Sequence, residues 1–518
     1  MRTRKTGRFP FVLLPLLTAA AVWTSSAASS AEEGRFPTTT LPPGVGFAFD
    51  PDFKKFSLVA KDISVEVDGQ PREARAIRVS AHPFNRVWPG HQRTWDQTEP
   101  ASYLAFEQDG PAAFRVRPDW GCTNAVVRPL SAGVKASVLD GVAAFTLPRP
   151  GYYSVEFDGS HRAFHVFMEP KRDFPERTQA TRTYGPGVHV AGVVKVRSGD
   201  RIYIDRSAIV YGSFQGEGVR DVRIFGGGVI DGSVCERIFD GCYPRLQPHG
   251  LHFYESKDVA LDGPVVINSA CWCVAFYDCE DVSVSHVKVV GQWRYNTDGI
   301  DICNSRRVSV RDSFVRAFDD VISIKGIYPH ASKPNEDITV ERCVLWCGWG
   351  NTCEPGVETF APWFRRIRFE DCDLIHNAGI ALDIAACGPA PIEDFTYRNM
   401  RVELQDDTEP MVMQQREDET YDAGGQKGRP TLLAIRNVPW GKDGGGGTVD
   451  RVVIDGVHVL ADDGVPPPVM RVWTDADKRG AVPKYGEILV RNLTVNGRKA
   501  TIGKDVILDS NVSSVCFE

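Results

Sequence analysis

Two patterns of apolar and polar positions divide the chain. Between residues 36 and 170, short stretches alternate apolar and polar side chains with the period of two that places every second residue on one face of a strand. They read as strands over 56–59, 63–67, 76–79, 113–116, 134–138, 142–145, 152–157 and 161–167, with Gly, Pro and Asp supplying turns between them. The pattern predicts an antiparallel β-sandwich over 36–170. Residues 171–183, rich in charge and threonine, read as a linker.

Beyond residue 184 a different regularity sets in. A polar residue followed by alternating β-branched or apolar residues recurs as Asp221-Val-Arg-Ile224, Asp258-Val-Ala-Leu261, Asp281-Val-Ser-Val284 and Arg307-Val-Ser-Val310. It returns as Asp337-Ile-Thr-Val340, Arg366-Ile-Arg-Phe369, Asp394-Phe-Thr-Tyr397, Arg451-Val-Val-Ile454 and Glu487-Ile-Leu-Val490. Several intervals lie between 23 and 30 residues, the period of a solenoid, and the units are strand-like and poor in helix signals. Leucine-rich repeats are set aside because their leucine/asparagine ladder is missing, and propellers because their blades run to about 40 residues. The expected fold is therefore all-β: an N-terminal β-sandwich followed by a parallel β-helix over 184–518. Such a helix exposes a long shallow groove suited to an extended polymer.

Bulk properties narrow the partners. The 518 residues exceed what one ordinary core organises, matching the two-part reading. A net charge of −7 leaves no basic excess to displace counterions, which argues against a nucleic-acid partner. Arg2, Arg4, Lys5 and Arg8 precede an apolar run from Phe9 to Trp23 and small residues up to Ala31. That order predicts an export signal over residues 1–31, cleaved after Ala27 or Ala31, and a protein secreted to the extracellular or periplasmic space without a stable membrane anchor. Thirteen cysteines fit disulfides or buried thiols; their spacing lacks the pairing of a zinc site, and neither a metal nor another cofactor is expected.

The sharpest chemical feature is Asn296-Thr-Asp-Gly-Ile-Asp301 followed by Phe318-Asp-Asp-Val-Ile-Ser-Ile-Lys325. Asp298 and Asp319 are separated by about one coil, so they fall on neighbouring rungs ~4.8 Å apart. Splayed across a groove, such side chains reach the ~6.5–9.5 Å separation that holds a water between an acid and a base. Adjacent Asp319 and Asp320 repel, so one retains its proton to higher pH, as a general acid must. In a straight strand the two would point to opposite faces, which predicts a bend there.

These residues, with Trp272 and Asp281-Val-Ser-Val284, resemble glycoside hydrolase family 28, the polygalacturonase-like pectinases, across about residues 184–400. The sandwich ahead of a right-handed parallel β-helix is also similar to dextranase family 49. The resemblance implies an inverting glycoside hydrolase in which Asp319 protonates the leaving oxygen while Asp298 and Asp320 activate water. Two stretches depart from the pectinase pattern. Gly348-Trp-Gly350 stands where polygalacturonases carry Gly-His-Gly, and Gly379-Ile-Ala-Leu-Asp-Ile384 lacks the basic residues that grip a uronate carboxylate. The missing basic residue favours a neutral or otherwise decorated glycan, such as dextran, over pectin.

Around the aspartates, Asn296, Lys325, Trp349, Glu354, Glu358, His249 and His376 are candidate substrate contacts. Trp293, Tyr295 and Trp346 offer aromatic faces for stacking on sugar rings or for packing between coils. Asp301 is expected to hydrogen-bond within the coil. Two other functions compete: a polysaccharide lyase with Lys325 as base, and a carbohydrate-binding β-helix without turnover. Calcium dependence with unsaturated products would mark the first, and binding without new reducing ends the second.

Overall fold

A computed structural model describes residues 58–80, 98–235, 250–406, 429–437, 439, 444–477 and 479–518. The export-signal segment, the start of the sandwich and the first expected strand up to residue 57, and His249 lie outside the described residues.

The N-terminal part is two five-stranded sheets. One orders Gln70–Arg72, Ile63–Val67, Ala112–Pro118, Val142–Leu147 and Ser137–Leu139; the other orders Arg75–Ser80, Thr98–Glu107, Phe164–Glu169, Gly151–Phe157 and Ala125–Arg128. Their facing sides enclose Val65, Phe114, Val116, Phe145, Val155 and Val166. The long strand Thr98–Glu107 escaped the alternation test for a physical reason. Its centre is buried on both faces, Leu104 in the sandwich core and Ala101 and Tyr103 against the coils, so the hydrophobic pattern runs on instead of alternating.

Among the described residues from Arg182 to Phe517 the chain winds through 31 strands paired in parallel between successive coils, apart from one short antiparallel hairpin at 494–499. The strands form three long sheets. In the first, the repeat motif stacks in register, Val222 on Val259, Val282, Val308, Ile338, Ile367, Phe395, Val452 and Ile488. The polar residue opening each of the first eight motifs, from Asp221 to Arg451, has a positive φ of 52–57°. Its left-handed backbone turns the coil corner, and its side chain projects to solvent, where Arg307 meets Asp281, Arg366 meets Asp337 and Arg451 meets Asp394. Exposed pairs of this kind contribute only ~0–1 kcal/mol each. Coil stability comes from the apolar column inside.

The second sheet includes Phe314–Ala317, Val344–Cys347 and Asp373–Asn377, and the sandwich sits on it. The third includes Leu251–Tyr254, Val274–Tyr277, Ile300–Cys303, Ile322–Gly326, Cys353–Thr359, Ile380–Ala385, Thr431–Asn437 and Val469–Thr474. Of the twelve described cysteines, eleven are buried and Cys516 is exposed.

A buried ionic chain fastens the sandwich to the coils. Arg128 donates from Nε to Glu156 Oε2 at 2.8 Å and from Nη1 to Glu403 Oε2 at 2.5 Å, while His376 Nε2 meets Glu156 Oε1 at 2.5 Å. Removing one partner from such a group strands the others in a low-dielectric interior. Arg128→Ala is expected to cost ~3–5 kcal/mol of stability, read by denaturant or thermal unfolding.

Candidate active site

The site is built where the second sheet gives way to the third. Asp298 lies in the turn before Ile300–Cys303, and Asp319 and Asp320 lie in the turn between Phe314–Ala317 and Ile322–Gly326. Neither turn is strand, so the chain bends at the aspartate pair and the two carboxylates escape the up-and-down alternation of a pleat. Backbone ladders run through the bend: Gly299 N donates to Asp320 O at 2.8 Å, and Val321 N to Asn351 O at 2.9 Å. Asp298, Asp320 and Asn351 therefore come from three successive coils at one corner.

Lys325 organises the carboxylates. Its Nζ lies 3.1 Å from Asp320 Oδ2, 3.8 Å from Asp298 Oδ2 and 3.7 Å from Glu358 Oε2. The first two contacts together bring those Asp298 and Asp320 oxygens within about 7 Å of each other. Burial alone would strip the ammonium of its proton, but the Asp320, Glu358 and Asp298 charges overcome it and hold Lys325 well above the usual lysine range. Among the described residues Asp319 makes no ion pair. Burial, reinforced by the Asp298 and Asp320 charges, pushes its carboxyl well above the usual carboxylate range. Burial also raises Asp298, against the pull of Lys325, while Asn296 Nδ2 donates to Asp298 Oδ1 at 3.2 Å.

Gly350 closes the pocket wall. A Cβ added there would sit 2.6 Å from Asp319 Oδ1, Asp320 Oδ1 and Asp320 N, so no side chain fits. Gly350→Ala is expected to displace both carboxylates and lower kcat by up to ~10²-fold, as misplacement by about 1 Å can. Initial-rate kinetics on a correctly folded variant read the effect.

The sequence model of glycosyl hydrolases family 28 matches residues 176–438, just over half of the chain. The chain belongs to that family. A probable exopolygalacturonase B of Aspergillus terreus is 28% identical over 226 residues, 39% of this chain and 49% of that protein. An Arabidopsis thaliana exopolygalacturonase, clone GBGE184, is 25% identical over 240 residues, 44% of this chain and 51% of its own. The chain thus spans about half the length of the curated relatives it matches. Among solved structures, Dex49A from Penicillium minioluteum superposes with a TM-score of 0.60 over 88% of this chain and 93% of its own at 13% identity, a likeness of fold.

Against the family 28 pattern, the other expected contacts sort into three groups. Asn296, Lys325 and Glu358 gather on the aspartates through the contacts above. Trp349 joins them from the wall: its ring stacks on the buried Phe318 at 5.7 Å and meets the partly buried Tyr295 at 6.2 Å. Glu354 is buried one coil on, accepting from Asn351 Nδ2 at 3.1 Å and lying 3.6 Å from Arg436. It is a support for the site more than a surface for a sugar, and burial pushes its carboxyl well up. Asp301 is fully buried and accepts from Ser323 Oγ at 2.7 Å, so its bond reaches the next coil, where one within its own coil was expected.

His376 needs correcting, and Trp346 takes the packing alternative of the two left open for it. Both side chains are buried beneath the sandwich, their rings 3.9 Å apart, with Arg316 over Trp346 and Glu156 on His376. They point away from the aspartates because their positions on the second sheet turn outward toward the docked domain. Trp293 likewise packs inside, donating to Asn268 Oδ1 at 3.3 Å.

Three residues of the site were not singled out from sequence. Asn351 N donates to Asp320 Oδ1 at 2.9 Å, and its amide ties Glu354, Asp383 and Ile380 together. Asp383 is buried and grips Arg436, whose Nη2 approaches to 2.6 Å and Nε to 3.1 Å. The stretch 379–384 lacks a basic residue of its own, yet a guanidinium reaches it from the following coil. Asn351 carried a local signal, directly after Gly350; the 53-residue step from Asp383 to Arg436 carried none.

Proposed function

We propose that this chain is a secreted inverting glycoside hydrolase that cuts a polysaccharide with Asp319 as general acid and Asp298 and Asp320 as the base pair. The observation that carries the reading is the asymmetry of Lys325, whose ammonium lies within 4 Å of Asp298 and Asp320 but makes no ion pair with Asp319. An adjacent positive charge favours an ionised carboxylate, and a buried, like-charge-crowded carboxyl without an ion-pair partner keeps its proton. The roles follow. Asp319 passes its proton to the glycosidic oxygen as the C1–O bond breaks. A water held by Asp298 and Asp320 attacks C1 from the opposite face and gives up its proton to that pair.

Arg436 bears on the substrate. Its charge is committed to Asp383 and Glu354, so it offers little to a uronate carboxylate at this point of the trough. That supports a neutral glycan such as dextran, although the relatives above bear polygalacturonase names. The basic and apolar N-terminal segment supports export, where such polymers occur.

The experiment is the anomeric configuration of the first product released, followed by nuclear magnetic resonance on dextran and on polygalacturonate. Release of the inverted anomer, from dextran in preference, is the expected result; retention of configuration excludes the single-displacement scheme.

A further inference from the structure

The outer face of the third sheet changes character at the aspartates. Phe253, Val274, Phe276, Ile300 and Ile302 belong to the main core, so strand alternation turns Tyr254, Ala275, Tyr277 and Cys303 to the outside. One outward row runs Glu217, Tyr254, Tyr277, Cys303 and Lys325 in register. Glu217 is exposed, but the next three are buried although they face away from the core. They form a separate apolar cluster with Cys271 and Trp272, packed against Ile327. Within it Tyr254 and Tyr277 stack at 4.6 Å, Trp272 lies parallel to Tyr277 at 6.1 Å, and His330 flanks Tyr277. The Trp272 ring stands 5.5 Å from Lys325 Nζ, so the covered stretch abuts the lysine that holds the carboxylates.

On the other side the row opens. Ala385, Arg436 and Trp473 follow in register, and Trp473 is 39% exposed. A cleft of about 510 Å³ runs from Gly379 and Ile380, next to Asn351, past Arg436 to Arg471 and Trp473. Four rungs separate Lys325 from Trp473, a span of ~19 Å at ~4.8 Å per rung.

We infer that the trough is blind on the Trp272 side of the aspartates, and that the glycan enters by one chain end with the rest of the polymer lying in the downstream cleft over Trp473. The inference rests on the hydrolase reading and goes beyond it: the enzyme removes a short unit from a chain end, and Trp473 is a sugar-stacking residue that long substrates reach. An extended polymer passing through the site would have to displace the Tyr254, Tyr277 and Trp272 cluster from its packing, whereas a chain end needs no such change. An exposed indole on the floor of an open cleft presents a flat apolar face suited to a pyranose ring.

The test follows product size and solution viscosity together on dextran and polygalacturonate, using the full chain, Trp473→Ala and Asp319→Asn. One short product from the first minutes, with reducing ends rising while viscosity stays nearly flat, is expected. Trp473→Ala should lower kcat/KM about tenfold, with the loss setting in only as the oligosaccharide becomes long enough to span ~19 Å. Mixed oligosaccharides with a rapid fall in viscosity would overturn the blind trough, and a Trp473→Ala loss independent of chain length would overturn the stacking role. If either occurs while Asp319→Asn abolishes cleavage, the hydrolase reading stands and only this inference fails.

Discussion

Asp319→Asn is expected to lower kcat by ~10²–10⁴ while leaving the fold as stable as the parent or more so. The side chain is almost fully enclosed beside two other carboxyls, and burial holds it protonated above the usual carboxylate range. Asparagine has nearly the same shape and satisfies the same neighbours, but it has no proton to transfer. The pH behaviour separates the two effects. Activity that needs a protonated Asp319 is present at low pH and lost as pH rises through its elevated pKa, so the alkaline limb of the parent's profile should be missing from the residual rate of the variant. The stability contribution of this carboxyl is lost in the same direction. A carboxyl whose folded pKa exceeds its unfolded one favours the fold below the unfolded pKa and loses that contribution as pH rises. Removing it should make the variant relatively more stable at neutral and alkaline pH, checked by thermal unfolding across the range. Parental activity in the variant would reject the acid assignment.

Lys325→Met carries the second large effect. The ammonium is enclosed and faces Asp320, Asp298 and Glu358 at 3.1, 3.8 and 3.7 Å. Without it the buried Asp298 is left with no compensating charge, a change that costs ~3–5 kcal/mol unless it takes up a proton. Proton uptake disarms the base pair. The rate at neutral pH should fall by on the order of 10²–10³, the range for losing one electrostatic contact in a preorganised site. The acidic limb of the profile should move to higher pH, because Asp298, relieved of the Lys325 charge that lowers its pKa, now ionises later. A residue that only braced the fold would lower the melting temperature and leave that limb in place, so the profile decides between the roles.

The parts of this molecule that were legible from sequence share a short range. Asp281-Val-Ser-Val284 and its equivalents could be read as stacked rungs because the apolar column and the corner residue repeat within each coil, and Val282 does lie in register with Val259 and Val308. Asp298, Asp319 and Asp320 came together for the same reason: one coil of chain separates them, and the pitch of the solenoid fixes where they meet. Contacts between distant segments were not legible. Arg436 reaches Asp383 across a 53-residue step that no pattern sets, and His376 was placed in the trough because nothing in its own surroundings announced Glu156, 220 residues earlier. Thr98–Glu107 was lost for a related cause, since a strand covered on both sides resembles a continuous apolar run until the second cover is known.

The seat of the sandwich has a consequence for how this architecture can change. Glu156, His165 and Arg128 contact the coils on the sheet that carries Trp346 and His376, around the corner from the floor beneath Asp301, Ser323 and Trp473. Tolerance to heat and choice of sugar are therefore written on different sides of the same spiral. Exchanging the accessory unit for another that fits Arg316 and Glu403 would retune one and leave the other untouched, so the two traits are free to diverge separately as the family adapts to new polymers.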